Sequence, residues 1–281
     1  MKTTHSIAFK NTGEAGFTLT DLLVVIVTVA ILGVLLLPAL AGTKPNSQAF
    51  QCLENLRQLT LGWQMCAEDN NGKLPPNGNQ STQCVDPACT DYLPGGKWAQ
   101  WCPGVVNMYD AYAANYIKAG LIYPYVNNTN AYRCPADMRT YIKMGIGQLQ
   151  TRGYSMNCCM APISPLGMWN GNGVKKYYKD TDFTQPGPSM TWVLIDENEG
   201  SISATLFCTG PHDLNHWQDA PAARHAGSGS ISFADGHSEM KRWTDRWLVQ
   251  VPTVFSIGVG HTSDGSSGDW AWLSQRTTIL Q

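Results

Sequence analysis

The residues of this chain that could do chemistry are mostly carboxylates and histidines in its C-terminal part. Asp196 and Glu197 follow a predicted strand, and Asp235 lies in an Asp-Gly turn. Ca²⁺ takes about six to eight oxygen ligands, so these three carboxylates are a candidate calcium site, although no loop here has a recognisable ligand spacing. The alternative is structural: Asp235 caps the turn, and His225 hydrogen-bonds a carboxylate such as Asp196.

Other site chemistry finds little support in the sequence. His212 and His216 are four residues apart and could share a helical face around zinc, but Pro211 and Asn215 favour a loop. A hydrolase needs a nucleophile and a base brought together, and no nucleophile motif is present. The net charge of −2 implies no nucleic-acid partner. We therefore expect a protein that is not an enzyme and that needs no cofactor, with calcium as the alternative.

The chain has nine cysteines, at positions 52, 66, 84, 89, 102, 134, 158, 159 and 208. An odd number leaves at least one thiol that is free or that pairs between chains. No CxxC pair exists, and Cys158 and Cys159 are adjacent, which is poor spacing for zinc ligands. In an exported domain this pattern favours disulfides, whose connectivity the sequence does not give.

An apolar run from Leu22 to Leu40 dominates the N-terminal part of the chain. Nineteen such residues at about 1.5 Å each can cross most of a hydrocarbon core of about 30 Å. Asp21 stands at the head of the run, and a carboxylate in a bilayer costs about 2.5–3.5 kcal/mol, so it requires a partner. Lys2 and Lys10 favour a cytoplasmic N-terminus. The run predicts a membrane-spanning helix followed by a periplasmic head.

The string Gly16-Phe17-Thr18-Leu19, with an acid at Asp21, resembles the processing site of type IV prepilins and type II secretion pseudopilins. The resemblance implies cleavage by a prepilin peptidase after Gly16 and methylation of the new amino group of Phe17. It also implies that the apolar helix serves first as an anchor and then as the core of a filament. Asp21 stands where the family usually has Glu, and Pro38 falls where such pilins commonly carry a helix-kinking proline.

Two other interpretations of the N-terminal segment remain open. Ala39-Leu40-Ala41 is similar to the cleavage site of a secretory signal peptide, but the apolar run exceeds the usual length of about 7–15 residues. Asp21 and Glu14 also stand where a basic flank would be expected. The other alternative is a plain membrane anchor without processing, which the specific Gly-Phe-Thr-Leu string disfavours.

The C-terminal part carries a second resemblance. His225, followed after nine residues by Asp235-Gly236, is similar to the end of a large prepilin-like family of planctomycete and verrucomicrobial bacteria. Residues 52–59, 134–137 and 154–157 also resemble internal motifs of that family, so the resemblance spans nearly the whole chain. It implies the architecture of the protein more firmly than its purpose.

The expected fold is α+β, with one long N-terminal helix packed on a small antiparallel sheet and long loops. Its first half would span the membrane. We expect a leader at 1–16, a transmembrane and filament-core helix at 17–41, an amphipathic extension at 42–72 and a loop-rich head at 73–281. Apolar residues recur at helical spacing in the extension, at Ala49, Leu53, Leu56, Leu59, Trp63, Cys66 and Ala67. Residues 191–195 predict a strand, and residues 230–243 predict a hairpin.

The function expected from these features is structural: a subunit of a type IV pilus or of a type II secretion pseudopilus. The implied partners are a prepilin peptidase, an inner-membrane assembly platform, and copies of itself or other pilins. The protein would be a single-pass inner-membrane protein before it joins a filament at the cell surface. The alternative is a minor or tip subunit whose head binds a glycan, a secreted substrate or calcium, because ten tryptophans could supply a binding surface.

Overall fold

The structure is a computed structural model. It describes residues 19–41, 43–78, 95–96, 99–104, 113–143, 146–163, 173–202, 204–209, 216–250, 261–262 and 268–280. Side chains are described for these residues apart from 32–41, 43–47, 113, 141–143, 146–149, 216, 250 and 261–262. Gly16, Phe17, His212, Cys84 and Cys89 lie outside the described residues, as does the side chain of Pro38.

The chain divides into two compact units, residues 1–44 and residues 45–281. The first contains helix α1 (Leu19–Ala41), with Asp21 in its first turn, where a carboxylate interacts favourably with the helix dipole. The second contains helix α2 (Thr43–Asp69) from residue 45 onward, together with every strand that the structure describes.

The prediction that the first half of one long helix spans the membrane is wrong. The part of α1 with described side chains, residues 19–31, is 13 residues long, or about 20 Å, against a hydrocarbon core of about 30 Å. The corresponding part of α2 has about 22 residues but carries Glu54, Arg57, Glu68 and Asp69. None of the helices, as far as they are described, combines the length and apolarity that crossing a bilayer requires.

Helix α2 is amphipathic, as its sequence predicts. Cys52, Leu56, Leu59 and Trp63 are buried along one face. The helix ends where predicted, because Asn71 and Gly72 both adopt positive φ and the N–H of Gly72 donates to the carbonyl of Ala67 at 2.8 Å, which closes the last turn. Asn55, which the periodicity places on a polar face, is instead buried.

The central element of the second unit is a five-stranded sheet of order β5-β3-β4-β7-β8. Its strands are β3 (Tyr154–Asn157), β4 (Trp192–Asp196), β5 (Leu206–Phe207), β7 (Ser228–Phe233) and β8 (Ser238–Arg242). The β7–β8 hairpin turns at Asp235-Gly236, and β4 covers all but the first residue of the predicted strand, so both expectations are confirmed.

The expectation of a purely antiparallel sheet is wrong, because β3 pairs with β5 in parallel. Strand β5 is short and covers only Leu206–Phe207. A parallel neighbour requires a crossover connection, and here the chain passes through β4 before it returns beside β3.

Two clusters of buried residues enclose the sheet. One joins α2, through residues such as Leu56 and Leu59, to Met156 of β3 and Leu194 of β4. The other joins Ile195 and Ile231 to Leu273 of the C-terminal helix α6 (Asp269–Thr277). Because both clusters use β4, all five of its residues are buried.

The other described elements are short. They are helices α3 (Ala113–Ala119), α4 (Tyr123–Val126) and α5 (Arg246–Gln250), the pair β1 (Thr140–Lys143) and β2 (Ile146–Leu149), and the pair β6 (His216–Trp217) and β9 (His261–Thr262). Short 3₁₀ turns cover Thr129–Tyr132, Asp180–Asp182 and Pro188–Met190.

Candidate functional site

Four side chains with metal-ligating atoms converge in the second unit. Cys52 lies on α2, Cys134 follows the 3₁₀ turn at 129–132, Asp196 ends β4, and His225 precedes β7. One ligating atom from each side chain lies within 4.8 Å of the corresponding atoms of the other three. Three of these residues are buried and His225 is half-buried. We refer to Cys52, Cys134, Asp196 and His225 as the Cys/Asp/His cluster.

The contacts inside the Cys/Asp/His cluster are close. Cys134 Sγ lies 3.2 Å from Nε2 of His225, and Cys52 Sγ lies 3.8 Å from Oδ2 of Asp196. The hydroxyls of Tyr154 and Ser230 also contact Cys52 Sγ, at 3.1 and 2.9 Å. Polar groups therefore surround the Cys52 sulfur, although the residue has no exposed surface.

Helix α2 holds two sides of the cluster together. It presents Cys52 toward the sheet, one turn before the buried Leu56. Three residues after Cys52, the amide of Asn55 donates to the carbonyl of Arg133 at 2.9 Å. The backbone just before Cys134 is thereby fixed against α2, which explains why a polar residue is buried on this helix.

A tight two-residue turn places His225. The N–H of His225 donates to the carbonyl of Ser228, and the N–H of Ser228 donates back, both at 3.1 Å. Ala226 and Gly227 between them have φ values of +53° and +83°, as a type I′ turn requires. Alanine is uncommon in this left-handed region, so the surrounding contacts must hold the turn in place.

Arg224 lies beside the cluster at the centre of a charge network. It is bonded to Oδ1 of Asp196, contacts Oε2 of Glu199 at 2.8 Å and lies 3.5 Å from Oδ2 of Asp137. Arg139 is the second cation and lies 3.7 Å from the same Asp137 oxygen. Three carboxyl groups thus face two guanidinium groups in this network.

The pKa values of the two hydrogen-bonded cysteines are shifted in opposite directions. Burial opposes ionisation of Cys52, but side-chain hydrogen bonds outweigh it and hold the pKa of this thiol well below its ordinary value. The bonding groups, in order of effect, are Cys134, His225, Ser230 and Tyr154. The hydrogen bond to Cys52, together with burial, raises the pKa of Cys134. Of the two, Cys52 is therefore the more acidic thiol.

The neighbouring carboxylates respond mainly to burial. Burial raises the pKa of Asp196 well above its ordinary value, although Arg224 opposes this effect. Burial also raises the pKa of Glu197 to about 7. Glu197 Oε1 accepts a bond from Ser201 at 2.9 Å, whereas Oε2 is buried with no hydrogen-bond partner among the described residues. A group with these properties changes charge near neutral pH.

The structure does not assemble the three carboxylates considered as calcium ligands. Ile195, next to Asp196, pairs with Ile231 of β7, whereas Asp235 follows Phe233, which pairs with Trp192 at the other end of β4. Asp235 caps its turn by accepting from the N–H of His237 at 3.1 Å, as expected. His225 differs from expectation, because the recorded contact of its Nε2 is with Cys134 and not with a carboxylate. The nine-residue spacing from His225 to Asp235 thus spans strand β7 and its two turns.

The tryptophans considered as a binding surface are largely enclosed. Trp101 and Trp217 have no exposed surface, and Trp270 is also buried. Trp272 is partly buried and stacks under the guanidinium of Arg276, 4.1 Å from its ring centroid. Trp98 and Trp169 lie outside the described residues. The described tryptophans therefore pack in the interior and do not form an open surface on which a sugar could stack.

None of the seven described cysteines is in a disulfide, and all seven are buried. A second group of thiols lies at the edge of the sheet, where the N–H of Cys158 donates to the carbonyl of Phe207 at 3.1 Å. Hydrogen bonds to the Cys158 thiol, followed by burial, raise the pKa of both Cys159 and Cys208. The adjacent residues Cys158 and Cys159 therefore lie close to Cys208, because β3 and β5 pair in parallel.

Sequence reasoning missed Cys52 and Cys134 as partners of Asp196 and His225. The two cysteines are 82 positions apart, so no short ligand-spacing motif joins them. Two local signals were present: Cys52 falls on the apolar face of the predicted α2, and Cys134 begins the Cys-Pro-Ala-Asp segment. Neither signal indicates a metal site without the sheet that brings the two residues together.

Comparison of the chain with protein-family models, with curated proteins and with solved structures finds no match in any of the three.

Proposed function

We propose that this chain is a subunit of a pilin-like filament, either a type IV pilus or a type II secretion pseudopilus, that is processed after Gly16. The observation that carries the proposal is the exposure of the apolar helix α1. Every described side chain from Leu19 to Ile31 is exposed, and the large ones are 47–82% exposed. The string Gly16-Phe17-Thr18-Leu19 stands directly before this surface.

An apolar surface of this kind requires a partner that covers it. Burying a large aliphatic side chain gains about 1.5–3 kcal/mol, and soluble monomers rarely expose long contiguous apolar stretches. Copies of α1 packed side by side would cover one another, as in the filament core that the family resemblance implies. Asp21 is exposed on this helix, so it can set the register in which neighbouring copies meet.

The second unit would be the head that the filament displays outside the cytoplasm. The partners in this proposal are a prepilin peptidase, an assembly platform, and other copies of the chain or other pilins. The proposal assigns a structural role and no enzymatic one. A tip subunit with a glycan-binding head receives less support, because the described tryptophans are mostly enclosed.

Processing tests the proposal directly. The full chain would be expressed in a host that carries a prepilin peptidase, and its intact mass would be measured together with its share in sheared filaments. We expect the mature chain to begin at Phe17 with a methylated amino group. Gly16→Arg should abolish both cleavage and incorporation, because a long side chain would not fit the peptidase pocket at that position.

Gly13→Arg is the matched control, because it adds the same charge to the leader three residues earlier and should leave cleavage intact. A mature chain that begins at Gly42 would identify a secretory signal and refute the proposal. Equal incorporation of uncleaved Gly16→Arg would also refute the link between processing and assembly.

A further inference from the structure

We propose that Cys52, Cys134, Asp196 and His225 bind one Zn²⁺ ion. This site is independent of the filament proposal, because all four residues belong to the second unit. The ion would fasten α2 to the end of β4 and to the turn before β7. The two sulfurs, one nitrogen and one carboxylate oxygen form a donor set that Zn²⁺ accepts, whereas Ca²⁺ takes oxygen ligands alone.

The separations within the cluster are close to those of a tetrahedral zinc site. Zinc bonds of about 2.0–2.3 Å place neighbouring ligand atoms about 3.3–3.8 Å apart. Cys52 Sγ lies 3.8 Å from Asp196 Oδ2, and Cys134 Sγ lies 3.2 Å from His225 Nε2. The other ligand pairs lie within 4.8 Å, so small side-chain adjustments suffice to close the site around an ion.

The surroundings of the cluster orient the ligands as metal sites require. Arg224 holds Oδ1 of Asp196 and leaves Oδ2 directed at Cys52. The type I′ turn fixes the backbone that carries His225. Such outer contacts typically change metal affinity by about 10–100-fold when they are removed. The half-buried His225 gives an ion a route from solvent to the otherwise enclosed sulfurs.

The charges near the cluster also favour a divalent cation. The titratable groups that face it are Asp137, Arg139, Glu199 and Arg224, together with the hydroxyl of Tyr154. With Asp196 included, three carboxyl groups lie near two guanidinium groups. Metal binding would deprotonate both thiols and Asp196, and Zn²⁺ would compensate the negative charge that this creates in a region where unpaired charge is costly. Four protein ligands leave no open position, so the site is structural and not catalytic.

A disulfide between Cys52 and Cys134 is the principal rival. It would join the same two sulfurs with loss of two electrons and two protons to an external oxidant, and it would leave Asp196 and His225 without a ligand. The two states differ in measurable ways, because zinc release by a chelator frees two thiols, whereas a disulfide yields none until it is reduced.

The test uses the full chain, purified in detergent without reducing agent and then supplied with Zn²⁺ or Co²⁺ alone. We expect one equivalent of zinc by elemental analysis and a higher melting temperature with zinc than with chelator. Tetrahedral cobalt–thiolate absorption should appear in the Co²⁺ form. Added Ca²⁺ should produce none of these effects.

Substitutions test whether the residues of the Cys/Asp/His cluster are the ones that bind the metal. His225→Ala should lose stoichiometric zinc and the cobalt spectrum, and Cys134→Ser should lose most of both. Arg224→Lys should weaken zinc binding by about 10–100-fold. Cys66→Ser is the matched control, because Cys66 is also a buried α2 cysteine but its recorded side-chain contact is Asn70. It should retain full binding.

Three outcomes would overturn the proposal. One is a Cys52–Cys134 disulfide in peptide mass maps of the purified protein. Another is substoichiometric zinc with both thiols titratable. The third is equal zinc content in the folded His225→Ala variant and the wild type. Because His225 is only half-buried, its truncation is expected to leave a folded protein, so a result on this variant remains interpretable even if Cys52 variants do not fold.

Discussion

Arg224 donates to Oδ1 of Asp196, while Oδ2 of the same carboxyl group lies 3.8 Å from the sulfur of Cys52. One carboxylate therefore joins a buried ion pair to the Cys/Asp/His cluster. Arg224 belongs to the segment between β6 and β7, whereas Cys52 belongs to α2, so the carboxylate links two distant parts of the chain.

Replacement of Arg224 should be strongly destabilising. Arg224→Ala removes the cation that contacts Asp137, Asp196 and Glu199, and it leaves the first two buried without that partner. Breaking a buried pair in this way costs about 3–5 kcal/mol. We expect a loss of this size in the free energy of unfolding, measured by urea titration in the presence of a chelator so that metal binding does not contribute.

Arg57→Ala is the control for this measurement. Arg57 forms a helical pair with Glu54 at 3.6 Å, and its side chain is 60% exposed. Exposed pairs contribute about 0–1 kcal/mol, so its loss should be small. Similar losses for the two arginine variants would show that the buried network around Arg224 does not stabilise the fold.

Glu197 predicts a specific pH dependence of stability. Burial raises its pKa in the folded protein to about 7 from an ordinary value of 4.5. The folded state therefore holds a proton that the unfolded state releases, and the resulting stability is fully present below pH 4.5 and lost as the pH rises through 7. Glu197→Gln removes this dependence while it keeps the shape of the side chain.

We expect Glu197→Gln to be as stable as the wild type near pH 4.5 and more stable by about 3 kcal/mol near pH 8.5, since each pKa unit corresponds to about 1.4 kcal/mol. Thermal melts across this range measure the difference. The exposed Glu68→Gln is the control for the substitution itself and should change stability by no more than about 0.5 kcal/mol. A constant difference between Glu197→Gln and the wild type would exclude titration of Glu197 as the cause.

The cysteines predict a mixed pattern of thiols and disulfides under oxidising conditions. Cys208 lies at hydrogen-bond distance from Cys158 across the β3–β5 pair, so oxidation should join these two residues. Closing a loop of this length contributes about 4 kcal/mol in the chain-entropy model. Peptide mass mapping of unreduced protein should find this bond, while Cys66 remains a thiol.

A map in which Cys158 and Cys208 both carry an alkylating label, added before reduction, would contradict this prediction. The map also bears on the expectation from the sequence that the cysteines form disulfides. Cys84 and Cys89 contribute to that count from outside the described residues, and mass mapping is the measurement that assigns them.

Asp21 predicts a separation between processing and assembly. Its carboxylate is exposed on the apolar helix α1, so its removal should leave cleavage after Gly16 intact. Asp21→Ala should reduce incorporation into filaments, because neighbouring helices lose the charge that sets their register. The measurement is the fraction of processed protein recovered in sheared filaments.

Asp21→Glu is the matched variant and should assemble normally, because it keeps the charge and restores the residue usual in the family that the leader resembles. Incorporation of Asp21→Ala at the wild-type level would show that apolar contacts between helices suffice and that the carboxylate does not set register.

The sequence by itself determined the local elements of this protein. The helical spacing of Leu56, Leu59 and Trp63 specifies the buried face of α2, and Asn71-Gly72 specifies its end. The Asp235-Gly236 turn specifies the β7–β8 hairpin. These features depend on side-chain periodicity and on backbone conformations that few residues adopt, so neighbouring residues are enough to indicate them.

Only the tertiary structure decided the pairing of β3 with β5, the burial of Asn55, and the meeting of Cys52 and Cys134 with Asp196 and His225. Each depends on residues that are distant in sequence, and local propensity contains no term for such contacts. The predictions of a membrane-spanning helix and of a purely antiparallel sheet were wrong for the same reason, because each extended a local sequence pattern to the whole architecture. Packing around β4 brings the cluster together, and the metal proposal rests on that packing.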